Sequence, residues 1–222
     1  MTIDHAIEKA LAQLPPDILH SSGSVFYSGK EAFSGSKRLY ILGLNPGGDP
    51  EAQRQNTVAL HLAGYSKRDA HWSEYADERW EGRKPGTHGI QPQILHLLRS
   101  LNYDAQLTPA SNVVFVRTRN EVSLKVQKGR LLNLCWPVHQ AVIETLGIKV
   151  VLCLGKTAGS WVCSKLNAHK PVGSFVEKNR RGWTTSAYST DDNLTVISAT
   201  HPARADWRNP AADPTPLIKH FL

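Results

Sequence analysis

Cysteine and methionine are scarce in this chain of 222 residues, with three of the first and one of the second. Three cysteines (Cys135, Cys153 and Cys163) cannot make a full disulfide set. Their spacing fits no zinc or iron–sulfur ladder, so a reducing, cytoplasmic setting is expected. No apolar run approaches the ~20 residues that span a bilayer, so no membrane partner is expected. The opening stretch MTIDHAIEKALAQL carries Asp4 and Glu8 inside an amphipathic pattern, unlike a secretory leader. Internal repeats and low-complexity segments are lacking too. Acidic residues are the minority, 19 against 26 Lys and Arg, which gives a formal charge of +7. A basic chain of this size points to a polyanionic partner such as nucleic acid; a plain basic surface is the alternative. The hydrophobic fraction, 41%, is ample for a core, and the length suits one ordinary domain over 1–222.

The pattern along the chain alternates apolar runs with helix-period segments. A helix is expected from Thr2 to about Leu14, ended by Pro15-Pro16, and Ser21 to Ser36 reads as loop and turns. Arg38–Leu44 reads as a buried strand stopped by Asn45-Pro46-Gly47-Gly48. Asp49 to Gly89 is long and polar, with Tyr65, Trp72, Tyr75 and Trp80 among three histidines and no firm periodicity, and reads as an inserted segment. Helices are expected at Ile90–Leu101, Gly129–Leu146 and Lys156–Leu166. Further buried strands are expected at Asn112–Val116, Lys149–Leu154 and Leu194–Ser198. This alternation predicts an α/β fold, a mainly parallel four-stranded sheet wrapped by helices. In such folds ligands bind beyond the carboxyl ends of the strands.

Several familiar motifs are excluded. Gly155-Lys156-Thr157 resembles the end of a phosphate-binding P-loop, but position 150, where its first glycine belongs, is Val. The glycines of Gly43-Leu44-Asn45-Pro46-Gly47-Gly48 fall at the wrong offsets for a dinucleotide fingerprint. The ten histidines show no metal-ligand spacing, so neither metal nor cofactor is expected. What remains is that first segment and His201-Pro202-Ala203-Arg204, each just after a strand. Pro46 holds Asn45 extended, and Gly47 and Gly48 let backbone amides approach a ligand. An Asn capping a turn and a His packed at a sheet edge would explain each alone. Their pairing at strand ends favours a site.

Gly43-Leu44-Asn45-Pro46-Gly47 resembles the first motif of the uracil-DNA glycosylase superfamily, and His201-Pro202 resembles its second. Ser111-Asn112-Val113-Val114 looks like the strand with that superfamily's base-reading asparagine. Cys135-Trp136-Pro137 and the run Val150–Ala158 resemble the helix, strand and phosphate-contacting turn of its thermophile-type branch. The likeness covers roughly 38–206 and is mosaic. Asn45 is like the mismatch-specific and single-strand-selective branches. The later part is like the iron–sulfur branch, whose four cysteines this chain does not have, so no cluster is expected.

The resemblance implies a three-layer αβα sandwich and a DNA glycosylase that acts on a flipped base in double- or single-stranded DNA. It implies catalytic roles for His201, a donor to the pyrimidine O2, and for Asn45, which would orient the attacking water. Asn112 would read the base edge, with Gly43, Leu44, Pro46, Gly47 and Gly48 around it. Lys156 and Thr157 at a helix start, Arg119, Arg204, Trp207 and Arg208 are the expected DNA contacts; for the basic residues a solvated face, and for Trp207 simple packing, is the alternative. No lysine stands convincingly at the sugar, so a monofunctional enzyme with no lyase step and no obligate protein partner is expected. Strictly uracil-specific relatives carry a bulky aromatic where this chain has Gly47. Its absence leaves room for a 5-substituted pyrimidine, even a glucosylated hydroxymethylcytosine of phage DNA, so that roles in base-excision repair and in anti-phage defence both stand. A non-catalytic DNA-binding member of the superfamily and an enzyme on free nucleosides are the competing classes.

Overall fold

The computed structural model describes residues 3–222; Thr2, where the first helix was expected to start, lies outside them. The helices are α1 (His5–Ala12), α2 (Pro16–Leu19), α3 (Val58–Tyr65), α4 (Gln91–Ser100), α5 (Glu121–Leu124), α6 (Lys128–Leu146), α7 (Lys156–Leu166) and α8 (Thr215–His220). The strands are β1 (Leu39–Gly43), β2 (Ala110–Asn112), β3 (Val150–Leu154), β4 (Lys170–Val176), β5 (Thr184–Ser189) and β6 (Thr195–Ala199). They form one sheet in the order β2-β1-β3-β6-β5-β4. The first four are mutually parallel, whereas β5 and β4 are antiparallel additions at one edge.

The expected four-stranded sheet is therefore a six-stranded mixed one. The missed pair has a physical reason. β4 contains Pro171 and Gly173 with a register shift between them, and its residues are mostly exposed. β5 is Thr-Thr-Ser-Ala-Tyr-Ser, which offers only Thr185 and Ala187 to the interior. Neither is an apolar run, so neither gives the signal of a buried strand.

The two parallel central strands behave as expected. Each of β1 and β3 is buried along its whole length. Leu39, Ile41, Val150, Leu152 and Leu154 join one core with α4 and α8, while Tyr40, Leu42, Val151 and Cys153 join the opposite core with α1 and α6. Each such side chain contributes about 1.5–3 kcal/mol by leaving water. Both faces of the sheet are thereby covered, which leaves its ends as the places a ligand can reach.

The expected strand Asn112–Val116 is corrected. β2 ends at Asn112, and residues 113–115 are buried and Val116 partly buried, but they leave the sheet. The Val113 and Val114 amides still bond to the Gly43 and Leu44 carbonyls, and the chain then pairs with residues 22–24 through Phe115 and Arg117. This outer segment, expected as loop and turns, is docked on both sides: Tyr27 donates its amide to Ala110 and accepts from the amide of Glu74. Segment 49–89 is thus tied to the sheet edge. Behind Asn112, a buried relay fixes the backbone. The Tyr40 hydroxyl lies 2.8 Å from His139 Nδ1, and His139 Nε2 lies 3.2 Å from the Val113 carbonyl. A carbonyl only accepts, so Nε2 carries the proton and Nδ1 accepts from Tyr40. Burial holds the His139 pKa down at about 4. No helix among the described residues is long and apolar enough to cross a membrane.

Candidate active site

Parallel strands β2, β1, β3 and β6 all end at one edge, and the chain leaves them through Asn112, Asn45, Gly155 and His201. Adjacent strands lie about 4.8 Å apart, so β1 and β6, separated by β3, are about 10 Å apart at the backbone. A cavity of about 710 Å³ opens there. Asn45, Asn112 and His201 all line it, as do Gly43, Leu44, Gly47, Lys156, Thr157 and Arg204. Of the residues expected around the base, Pro46 and Gly48 do not line it; Pro46 is buried, and its carbonyl accepts from Asn45 and Thr118.

Asn45 has a fixed orientation. Its Nδ2 donates to Thr118 Oγ1 at 2.9 Å and the Pro46 carbonyl at 3.0 Å, with a longer contact to the Val116 carbonyl at 3.4 Å. Two of these partners can only accept, so the nitrogen must face them. Oδ1 is left as the side chain's open acceptor, turned away from this cluster.

Asn112 is the most telling side chain. It is 5% exposed, and its Nδ2 is buried with no acceptor in hydrogen-bond geometry. An unpaired buried donor costs about 1–3 kcal/mol, which an incoming acceptor would recover. Gly43 on the adjacent strand makes this placement possible: a Cβ there would lie 2.1 Å from Asn112 Oδ1. The Tyr27 hydroxyl stands beside the same amide. Burial, reinforced by the Glu74 carboxylate, raises the Tyr27 pKa, so the phenol keeps its proton at neutral pH.

His201 is half-buried. Burial lowers its pKa, with the Arg204 cation adding to the effect, so the ring is neutral at neutral pH. Its Nδ1 accepts from the Ala203 amide at 3.1 Å. In the neutral ring that assigns the proton to Nε2, which makes the ring a donor. Gly155 stands beside it at φ +111°, and a Cβ there would meet the His201 ring carbon at 3.6 Å.

The rim differs from expectation at four residues. Trp207, expected at the DNA surface, is fully buried, and its indole donates to the Thr200 carbonyl at 3.2 Å. It packs the turn beneath His201 and is removed from the contact set. Arg119 and Arg208 lie outside the cavity, each paired at 2.8 Å with a nearby carboxylate, Asp49 and Asp206. Thr157 is at the cavity but donates to Glu121 Oε1 at 2.6 Å. The Glu121 carboxylate, itself part of the lining, thus occupies the start of α7, where a phosphate was expected.

Residues that sequence reasoning did not assign to the site also contribute to the lining. Tyr27, Tyr75, Trp80 and Trp183 all line the cavity. The first three are in edge contact, with centroids 5.9 Å and 6.2 Å apart, and Trp80 donates its indole proton to Glu74 at 2.9 Å. Burial raises the Glu74 pKa. The aromatic richness of 49–89 was a visible signal; where those rings point was not. No protein-family model matches the chain, and no curated protein matches it either.

Proposed function

We propose that this chain is a monofunctional DNA glycosylase with the three-layer architecture of the uracil-DNA glycosylase superfamily, hydrolysing the N-glycosidic bond of an extruded uracil or 5-substituted pyrimidine. One observation carries the reading: two carboxamides and a neutral imidazole, far apart in sequence, line one cavity at the carboxyl ends of parallel strands.

The chemistry follows from the groups. As the bond between base and C1′ breaks, its electron pair moves onto the base and much of the charge collects at O2. His201 Nε2–H is a fixed donor for that charge, strongest when the charge is largest. Asn45 Oδ1 accepts from a water and aims its oxygen at C1′; the water's proton is lost to solvent, because an amide cannot take it up. A modest rate is therefore expected. Asn112 Nδ2 donates to an acceptor on the base edge, which is the partner it lacks in the protein. No metal or cofactor is needed for these steps. The basic balance of the chain, with Lys156 and Arg204 at the rim, suits the DNA strand around the extruded nucleotide.

A second reading rests on the cavity's size. Pockets of this volume enclose whole drug-sized ligands, well beyond a bare pyrimidine. A Cβ at Gly47 would meet nothing within 4 Å, and the inserted segment lines the space with Tyr75 and Trp80. This favours a base with a bulky 5-substituent, such as glucosylated hydroxymethylcytosine, and with it a role against phage DNA. Duplexes carrying uracil, mismatched thymine, hydroxymethylcytosine or its glucosylated form, assayed for abasic sites, test both readings. Excision of uracil alone ends the large-substituent reading; excision of none overturns the glycosylase.

A further inference from the structure

The antiparallel hairpin β4–β5 puts an aromatic side chain at the cavity that no motif announced. β5 runs opposite to β6, with Ser186 facing Ser198, so its first residues stand level with Thr200. The Thr200 amide indeed bonds to Thr185 Oγ1 at 3.2 Å. Trp183, just before β5, therefore stands one strand beyond His201 and lines the same cavity, yet 37% of it remains exposed.

This turn is built, not loose. Arg181 lies over the Trp183 ring, 4.5 Å from its centroid. The Arg181 guanidinium donates to the Arg204 carbonyl and, at 3.1 Å, to the buried carboxylate of Glu177. Asn179 donates to that same carboxylate at 2.7 Å and caps the Arg181 amide at 2.9 Å. The Glu177 amide closes the hairpin on the Trp183 carbonyl at 2.9 Å. A large aromatic is thus held at a cavity mouth, backed by a cation, with part of its surface in water. Lys178 and Arg180 project from the same turn as exposed cations.

We infer that Trp183 is a stacking platform for the nucleobase that flanks the extruded nucleotide. The inference rests on the glycosylase reading of the cavity. Trp183 stands at the cavity mouth one strand beyond His201, and the DNA strand that enters and leaves the extruded nucleotide must pass that mouth, which brings the flanking base to the exposed face of the ring. A base presents a π-face whatever its sequence, and a ring already layered on a guanidinium is a platform for it. The turn after His201 offers no substitute, since Trp207 is buried. The hairpin cations suit the phosphates on either side of that base.

The test uses a duplex with a tetrahydrofuran abasic analogue, which cannot be cleaved, and 2-aminopurine as the adjoining base. For the wild type, binding is expected to quench the 2-aminopurine. Trp183→Ala is expected to weaken affinity roughly ten-fold and abolish the quench. The dependence of affinity on salt should stay parallel to wild type, because no phosphate contact is lost. Trp183→Phe should retain most of both signals, which separates stacking from a folding defect. Wild-type affinity and quench in Trp183→Ala would overturn the platform and leave the glycosylase standing. A Trp183-dependent quench in a protein that excises no base of the panel would leave the platform and remove the glycosylase.

Discussion

The inner wall of the cavity and its rim are built on different physics. Asn45, Asn112 and His201 follow directly from the ends of parallel strands, and backbone groups hold Asn45 and His201: the Pro46 and Val116 carbonyls and the Ala203 amide. They are neutral, so their work depends on geometry. The rim is made of charged and aromatic side chains, Glu121, Lys156, Arg204 and Trp183, on turns and helix starts. Its work depends on charge and exposed area. Changes to the inner wall should therefore alter turnover with little change in salt dependence, and changes to the rim should alter affinity.

The largest effect is expected from the inner wall. Asn45→Ala and His201→Ala should each lower single-turnover excision about 10²–10³-fold while DNA affinity stays within a few-fold of wild type. Parallel losses of affinity would erase the distinction between wall and rim. Asn45→Asp should not accelerate the reaction. Its carboxylate would face the Pro46 and Val116 carbonyls that the amide nitrogen now contacts. A rate above wild type would show that the Asn45 cluster does not fix the group.

Two buried histidines should appear in stability. His139, behind Asn112, and His61 of α3, whose Nδ1 accepts from the Val25 amide at 3.3 Å, are both held down at about 4 by burial. In the unfolded chain each takes up a proton near pH 6.5. Between those values the unfolded state binds more protons, so stability should fall as pH drops from about 6.5 towards 4 and level off below. The loss is on the order of 3 kcal/mol per histidine. Denaturant unfolding at several pH values checks this, and His139→Gln should flatten the slope. An equal slope in the variant would remove His139 from the account.

Legibility divides along the same line. Buried parallel strands leave a strong trace, because both faces demand apolar residues, and β1 and β3 were readable within a residue or so. The turn after β1, at Asn45, was therefore readable too, as was the turn at His201 after β6, a strand also expected within a residue of its place. The β4–β5 hairpin was not, because an edge pair with Pro171, Gly173 and a run of hydroxyl residues buries too little to show a pattern. With it went Trp183. Trp207 failed for a different reason. An aromatic near a functional turn reads the same whether it packs the turn or projects from it, and here Thr200 accepts its indole proton. Glu121 was visible as the single acid in a basic stretch, but its partner Thr157 is 36 residues away and only the fold joins them.

Smaller effects sharpen the comparison. Gly43→Ala would drive a Cβ against Asn112 Oδ1, so it should cut excision about ten-fold by displacing Asn112. Gly47→Ala, where a Cβ meets no atom within 4 Å, should keep the wild-type unfolding midpoint. Equal damage at both would mean that Asn112 is not the sensitive element. Smallest, Glu121→Gln removes a negative charge from the start of α7. Affinity for duplex DNA should rise a few-fold, with the salt slope steeper by at most about one phosphate contact. Weaker binding would place Glu121 among the groups that hold the rim together.

The proposed chemistry requires Asn45 and His201 to act on opposite sides of one extruded nucleotide. A crystal structure with a duplex carrying a 2′-fluoro analogue of the excised nucleotide, which resists hydrolysis, tests this most directly. The base is expected inside the cavity, with His201 Nε2 within hydrogen-bond distance of O2 and a water between Asn45 Oδ1 and C1′. A base left stacked in the helix, or seated away from both side chains, would contradict it.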